Sequence, residues 1–193
     1  MTFSFSFVAF DQVVNNAPNM LTMSGGQFNI PIVFRGPNGP AHQLGATHSH
    51  ATEPLFANFP GLKIAIPGTP RDAKGLLKTA IRDDNPVLVL ESELLYNVTG
   101  PIEDKEVELL IPLGKGEIKR EGADVTIICY AQTVRMALAA AETLGRTRCS
   151  GRGARPSLHQ AIGLGFDSQF GVEDAPLCDR RTGQAFLRYW RQS

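Results

Sequence analysis

Three short apolar runs constrain this fold more than any other feature: residues 30–34 (Ile-Pro-Ile-Val-Phe), 62–66 (Leu-Lys-Ile-Ala-Ile) and 87–90 (Val-Leu-Val-Leu). The last has no polar residue to turn toward water. Continuous runs of this kind mark parallel strands covered on both faces. Segments with helical spacing lie between them. Over residues 7–20 the apolar positions Phe7, Phe10, Val14 and Ala17 recur at three- and four-residue steps, which predicts a helix that Ser24-Gly-Gly-Gln27 ends. A polar, glycine-rich loop over 35–50 and a short helix over 52–59 follow the first strand. Thr69-Pro70 opens another helix with proline in its first turn, with Ala73, Leu76, Leu77 and Ala80 as its apolar face, and Asn85-Pro86 stops it. Alternating strand and helix predicts an α/β fold built on a parallel sheet.

The expected organisation is a partial domain over residues 1–97, a charged connector over 98–122 and the start of a second α/β domain over 123–145. A strand over 124–130 and an alanine-rich helix over 133–144 open that second unit. At 193 residues the chain has room for one domain and part of another.

Residues 146–193 differ in character. The first 145 residues use six lysines and five arginines, whereas the last 48 use eight arginines and no lysine, and hold the lone tryptophan, Trp190. No apolar strand is expected to return there, so an irregular tail is predicted. Two readings compete: a natural arginine-rich tail that packs on a partner, and a change of reading frame in a GC-rich gene. The second is the preferred expectation.

Bulk chemistry narrows the function classes. Net charge is zero, with 20% charged and 42% hydrophobic residues, so neither nucleic acid nor an anionic membrane is the expected partner. Cys129 lies in an apolar run and reads as core, while Cys149 and Cys178 lie in the tail; without a Cys-x-x-Cys spacing, a disulfide framework or zinc site is not expected. The opening Met-Thr-Phe-Ser-Phe-Ser-Phe lacks a basic segment and reads as no signal peptide. No run approaches the roughly 20 apolar residues of a membrane helix. A soluble protein of a reducing cytoplasm is expected.

Three blocks carry a family resemblance: Pro31-Ile-Val-Phe-Arg-Gly-Pro-Asn-Gly39 with His48-Ser-His50; Pro60-Gly-Leu-Lys-Ile-Ala-Ile-Pro67 with Asp72-Ala-Lys-Gly-Leu-Leu-Lys-Thr-Ala-Ile-Arg-Asp83; and Asn85-Pro-Val-Leu-Val-Leu-Glu-Ser-Glu-Leu-Leu-Tyr96. Their order and register closely resemble the beta subunits of 2-oxo acid dehydrogenases. The Arg-Gly-Pro-Asn-Gly and Glu-Leu-Leu-Tyr wording looks more like the pyruvate enzymes than the branched-chain ones, with a branched-chain 2-oxo acid or acetoin dehydrogenase beta subunit as the alternative. The resemblance covers about residues 1–145.

It implies a transketolase-like pyrimidine-binding domain and the opening of a transketolase-like carboxyl-terminal domain. It further implies thiamine diphosphate shared with an alpha subunit, whose magnesium ion holds the diphosphate. A lipoyl acetyltransferase component would receive the acetyl group, within a hetero-oligomer. The chain is expected to begin inside the pyrimidine-binding domain, after the family's glutamate. No turnover is therefore expected from it as written, and a non-catalytic product of a broken gene is the rival reading. A bacterial cytoplasm is the expected compartment, with mitochondrial or plastid origin as the alternatives.

Residue by residue, the resemblance places Phe5 against the cofactor's aminopyrimidine; the residues alone allow Phe3, Phe5 and Phe7 to be simple core. It places His48 on a loop near the reactive carbon, as proton donor in transfer to the lipoyl group. An imidazole, with a reference pKa of about 6.5, suits that task, although a lone loop histidine also occurs simply solvated. His50 reads as structural and His42 as incidental; a zinc site made of these histidines lacks a carboxylate or cysteine at ligand spacing. Arg35-Gly-Pro-Asn-Gly39 lacks the phosphate-loop pattern and reads as a turn that aims the His48 loop. The resemblance also implies a potassium ion on backbone oxygens of Ile32, Ala80, Ile81, Asp83 and Asn85. The residues themselves allow an ordinary helix end capped by Asp83, Asp84 and Asn85.

Overall fold

The computed structural model describes residues 2–102, 108–123, 125–147, 156–161 and 163–165. Strands β1 (Val33–Pro37), β2 (Lys63–Ala65) and β3 (Val87–Glu91) form a parallel sheet with β3 in the middle. Val33 and Lys63 both register on Val87. Residues 87–90 are at most 1% exposed, and their alternation divides two cores. Leu88 and Leu90 face Phe3, Val13, Val14, Phe56, Ile64 and Ile66. Val87 and Val89 face Ala65, Leu76, Ala80, Leu109 and Ile111. An unbroken apolar run was the right pattern because both faces of this strand are dry.

Among the described residues, four α-helices accompany the strands: α1 (Ala17–Met23), α2 (Glu53–Phe56), α3 (Pro70–Ile81) and α4 (Thr133–Thr147). The Thr69 side chain caps α3 by accepting from the Asp72 N–H, as its position before the proline predicts. The buried face of α3 is Asp72, Gly75, Leu76 and Ala80, whereas Ala73 and Leu77 are only partly covered. Gly75 belongs to that face because Ile111 fills the space where its Cβ would be.

The helix expected over 7–20 is longer and less regular. It runs as a 3-10 segment (Phe3–Ala9), a π segment (Gln12–Asn16) and then α1. Pro18 has no N–H to return to the preceding turn, which favours the wider winding there. Val13 and Val14 are both buried, while Phe7 is 40% exposed. The first strand is also displaced, from the expected 30–34 to Val33–Pro37. Pro31 cannot donate, and the ladder starts only where the Ile32 carbonyl accepts from the Val87 N–H at 2.9 Å.

A second sheet contains β4 (Gly116–Arg120), β5 (Val125–Cys129) and β6 (Pro156–Ala161), with β6 in the middle, parallel to β5 and antiparallel to β4. The helix α4 packs there through Val134, Ala137 and Leu138 on Ile127 and buried Cys129. Two expectations need correction. The connector holds a strand, β4. The irregular tail does return strands: β6 completes a strand–helix–strand crossover with β5 and α4, and β7 (Gly163–Gly165) pairs antiparallel to β2. Pro-Ser-Leu-His-Gln-Ala lacks the continuous apolar run of a fully buried strand; pairing on both edges orders its backbone. Cys149, Cys178 and Trp190 lie outside the described residues, so the readings placed on them do too.

Candidate active site

The imidazole of His48 and the ring of Phe5 meet with centroids 4.9 Å apart and planes tilted by 46°. His48 ends a single 3-10 turn, Ala46–His48, preceded by Gly45 at φ +83°, a conformation that favours glycine. The His48 N–H donates to the Gly45 carbonyl at 3.2 Å and the Ser49 hydroxyl to the same oxygen at 2.8 Å. His50 sits beside this pair. Its Nδ1 lies 3.1 Å from the buried Ser4 Oγ, which also accepts from Thr2 Oγ1, and its ring lies 6.1 Å from Phe7. His42 is exposed. Among the described residues, no group of three or more His, Cys, Asp or Glu side chains could hold a metal ion.

Phe3 shows why its neighbours differ in role. It is buried against Gly36 and meets Phe56 edge-on at 5.5 Å. Phe5, two residues on, is 40% exposed beside His48. Phe3 is core, while Phe5 keeps part of its ring exposed.

Sequence reading missed the supports of the His48 loop. The Asn38 side chain accepts from the Thr52 N–H at 2.9 Å and the Thr52 hydroxyl at 2.6 Å. It donates to buried Glu53, whose other oxygen accepts from the Tyr130 hydroxyl at 3.0 Å. Burial, then the Glu53 charge and hydrogen bond, push the Tyr130 phenol up to about 12. The Pro-Asn-Gly turn and the helix start at Thr52-Glu53 were visible signals, but their pairing was not.

At the carboxyl ends of β1, β2 and β3, where open α/β sheets place ligands, a cleft of about 280 Å³ is lined by Arg35, Thr69, Glu91, Ser92 and Tyr96. Arg35 Nε donates to Glu91 at 2.6 Å, which raises the guanidinium pKa further. The Tyr96 hydroxyl donates to the second Glu91 oxygen at 3.0 Å. Burial and then that bond push Tyr96 up to about 12.

The five residues assigned to potassium come together where α3 ends beside the start of β1 and of β3. The bonds Ile30 N–H to Asp84 O (3.0 Å), Val87 N–H to Ile32 O (2.9 Å) and Asp83 N–H to Ala80 O (3.3 Å) tie these segments. The Asp83 carboxylate is engaged by Lys63 Nζ at 2.7 and 2.8 Å and by the Asn85 N–H and side-chain amide. Burial would raise its pKa, but the Lys63 and Asn85 hydrogen bonds outweigh that and hold the carboxyl below its usual range. What remains for a cation is main-chain oxygen, a donor set that fits a hard ion.

A parallel sheet covered by helices, followed by the opening of a second α/β unit, is a transketolase-like arrangement. The chain belongs to that family: residues 1–99 match the model described as "Transketolase, pyrimidine binding domain" and residues 114–152 match "Transketolase, C-terminal domain".

Its curated relatives are more particular. It is 49% identical over 146 residues to pyruvate dehydrogenase E1 component subunit beta-1, mitochondrial, of Arabidopsis thaliana, which covers 75% of this chain and 40% of that protein. It is 47% identical over 148 residues to the Bos taurus mitochondrial beta subunit, covering 76% and 41%. The chain thus spans about two-fifths of the length of these relatives. Their names leave a mitochondrial origin open and lend no support to a bacterial cytoplasm.

Among solved structures, a split-gene transketolase described as an inactive beta4 tetramer has a TM-score of 0.61 at 17% identity, covering 81% of this chain and 45% of that one. A Pichia stipitis transketolase in complex with sedoheptulose 7-phosphate also has a TM-score of 0.61 at 17% identity, covering 84% and 22%. At that identity the likeness establishes the transketolase-like fold alone.

Proposed function

We propose that this chain is part of a pyruvate dehydrogenase beta subunit. Its enzyme decarboxylates pyruvate oxidatively, using thiamine diphosphate, and passes the acetyl group to a lipoyl carrier. The observation that carries this reading is the Phe5–His48 contact of 4.9 Å. It joins the residue assigned to the cofactor's pyrimidine with the residue assigned to its reactive carbon. The partners are an alpha subunit, whose magnesium holds the diphosphate, and a lipoyl acetyltransferase component. The pyrimidine-binding unit ends near residue 97, and the carboxyl-terminal domain opens ahead of β4, near residue 114.

Thiamine diphosphate, when bound, supplies the carbon that adds to the 2-oxo group and takes up the electron pair released with carbon dioxide. This chain supplies placement and a proton. The exposed part of the Phe5 ring accepts the aminopyrimidine in an offset stack, contributing about 0.5–1.5 kcal/mol beyond burial. His48 is held by its one-turn helix and the Phe5 contact, and gives a proton from a ring nitrogen to the lipoyl group during acetyl transfer. Main-chain oxygens of Ile32, Ala80, Ile81, Asp83 and Asn85 hold potassium in a structural role, tying the end of α3 to the strand entrance.

The test is co-expression with a pyruvate dehydrogenase alpha subunit, followed by calorimetric titration of the purified assembly with thiamine diphosphate and magnesium. We expect co-purification, saturable binding, and weakening by Phe5→Ala of roughly threefold to tenfold. An alpha subunit that leaves this chain behind, or binding indifferent to Phe5→Ala, overturns the reading.

A further inference from the structure

We propose that Glu53 and Tyr130 are positioning residues for His48, with Tyr130 linking the placement of the His48 loop to the docking of the second α/β unit. The inference rests on the proposed role of His48 and deepens it.

The loop between Asn38 and Thr52 has little packing of its own. Residues 42–47 and 49–51 are all exposed, and His48 alone in that stretch is partly covered. Its placement therefore depends on its two ends and on the contacts His48 and His50 make with the Phe3–Ala9 segment. The ends are clamped together. The Gly39 N–H donates to the His50 carbonyl at 2.9 Å, and the Asn38 N–H donates to the Glu91 carbonyl at the end of β3 at 2.7 Å. The Asn38 side chain holds Thr52, through both its N–H and its hydroxyl, and donates to Glu53.

Glu53 is 6% exposed, and its two carboxylate oxygens take one donor each: Asn38 Nδ2 on one, the Tyr130 hydroxyl on the other. Its orientation therefore sets that of Asn38, and that of Asn38 sets both ends of the loop. Tyr130 directly follows β5 and precedes α4, 77 residues along the chain from Glu53. Ala131 beside it sits at φ +49°, and the turn is closed by Thr133 N–H to Tyr130 O at 3.1 Å and Tyr130 N–H to Thr133 Oγ1 at 3.2 Å. The phenol is thus presented from a tight turn in the second unit. A buried network with each member satisfied is worth more than its separate bonds, because loss of one partner leaves another unsatisfied.

The Phe5 ring current offers a direct readout, since a ring 4.9 Å away displaces the His48 ring-proton resonance. Phe5→Leu in the 193-residue chain identifies that resonance by NMR. Tyr130→Phe removes only the phenol oxygen, and Glu53→Ala removes both carboxylate bonds, to Asn38 and to Tyr130. In each variant we expect the His48 resonance to move at least halfway to its position in Phe5→Leu. Amide exchange at Gly39 and His48 should rise about tenfold, as expected for one lost charge-assisted bond. Exchange in β3 should stay unchanged.

A folded Tyr130→Phe protein whose His48 resonance moves less than that overturns the proposal. So does exchange in β3 rising in step with the loop, which would mean general loosening. If Glu53→Ala does not fold, Tyr130→Phe decides alone. The readout needs neither alpha subunit nor cofactor. A displaced His48 in a chain that binds no thiamine diphosphate would therefore sink the proposed function and leave the positioning intact.

Discussion

Ile111 occupies the volume that a side chain on Gly75 would need: a Cβ there would come within 2.6 Å of Ile111 Cγ1. A glycine inside a helix costs about 1 kcal/mol relative to alanine, and here the close approach of the segment 108–113 explains it. Gly75→Ala should destabilise the protein by about 1–2 kcal/mol, since overpacking at about 1–3 kcal/mol outweighs the gain in helix propensity. A urea titration checks this. A midpoint that rises would show that Ile111 yields freely.

Acid stability should report on Asp83. Its folded-state pKa lies below the usual range because Lys63 and Asn85 hydrogen bonds overcome the opposing effect of burial. A depressed carboxyl contributes stability that is fully present above its unfolded pKa of about 3.9 and is lost as pH falls through the lower folded value. Lys63→Met should flatten this acid limb and leave the Asn85 contribution. Urea midpoints measured from pH 6 down to about 2 test it; identical limbs in the two proteins would refute the assignment.

Tyr96 titrates late, at about 12, through burial and its bond to Glu91. Glu91→Gln should bring its phenol toward the ordinary value of about 10. Difference absorbance near 295 nm, with Tyr96→Phe to identify the transition, reads this directly. Because a raised phenol pKa favours the protonated folded state, stability should fall as pH rises from about 10 toward 12. An unshifted transition in Glu91→Gln would leave burial as the sole cause.

Potassium should stabilise the chain more than lithium if the main-chain oxygens at the end of α3 hold it. Binding to the folded state alone adds roughly 2.7 kcal/mol at a hundredfold excess over Kd. Thermal unfolding in matched chloride salts measures the difference. Equal midpoints in the two salts would remove the ion from this site.

The sequence by itself determined the layered core. Residues 87–90 lack any polar position, so the strand they form had to be covered on both faces, and Leu88 and Leu90 do divide from Val87 and Val89 as period-two geometry requires. The start of α3 was equally legible, because Thr69, Pro70 and Asp72 act within one turn. Spacing alone left Phe3, Phe5 and Phe7 equivalent; the packing buries Phe3 and leaves Phe5 40% exposed beside His48.

Tertiary structure alone decided the rest. Edge pairing made β6 a strand without an apolar run. Glu53 reached Tyr130 across 77 residues. Buried Asp72 found Lys119 at 3.5 Å. Periodicity records which face of an element is dry; it carries no information about which distant polar group arrives to satisfy a buried one, because that depends on how separate elements pack.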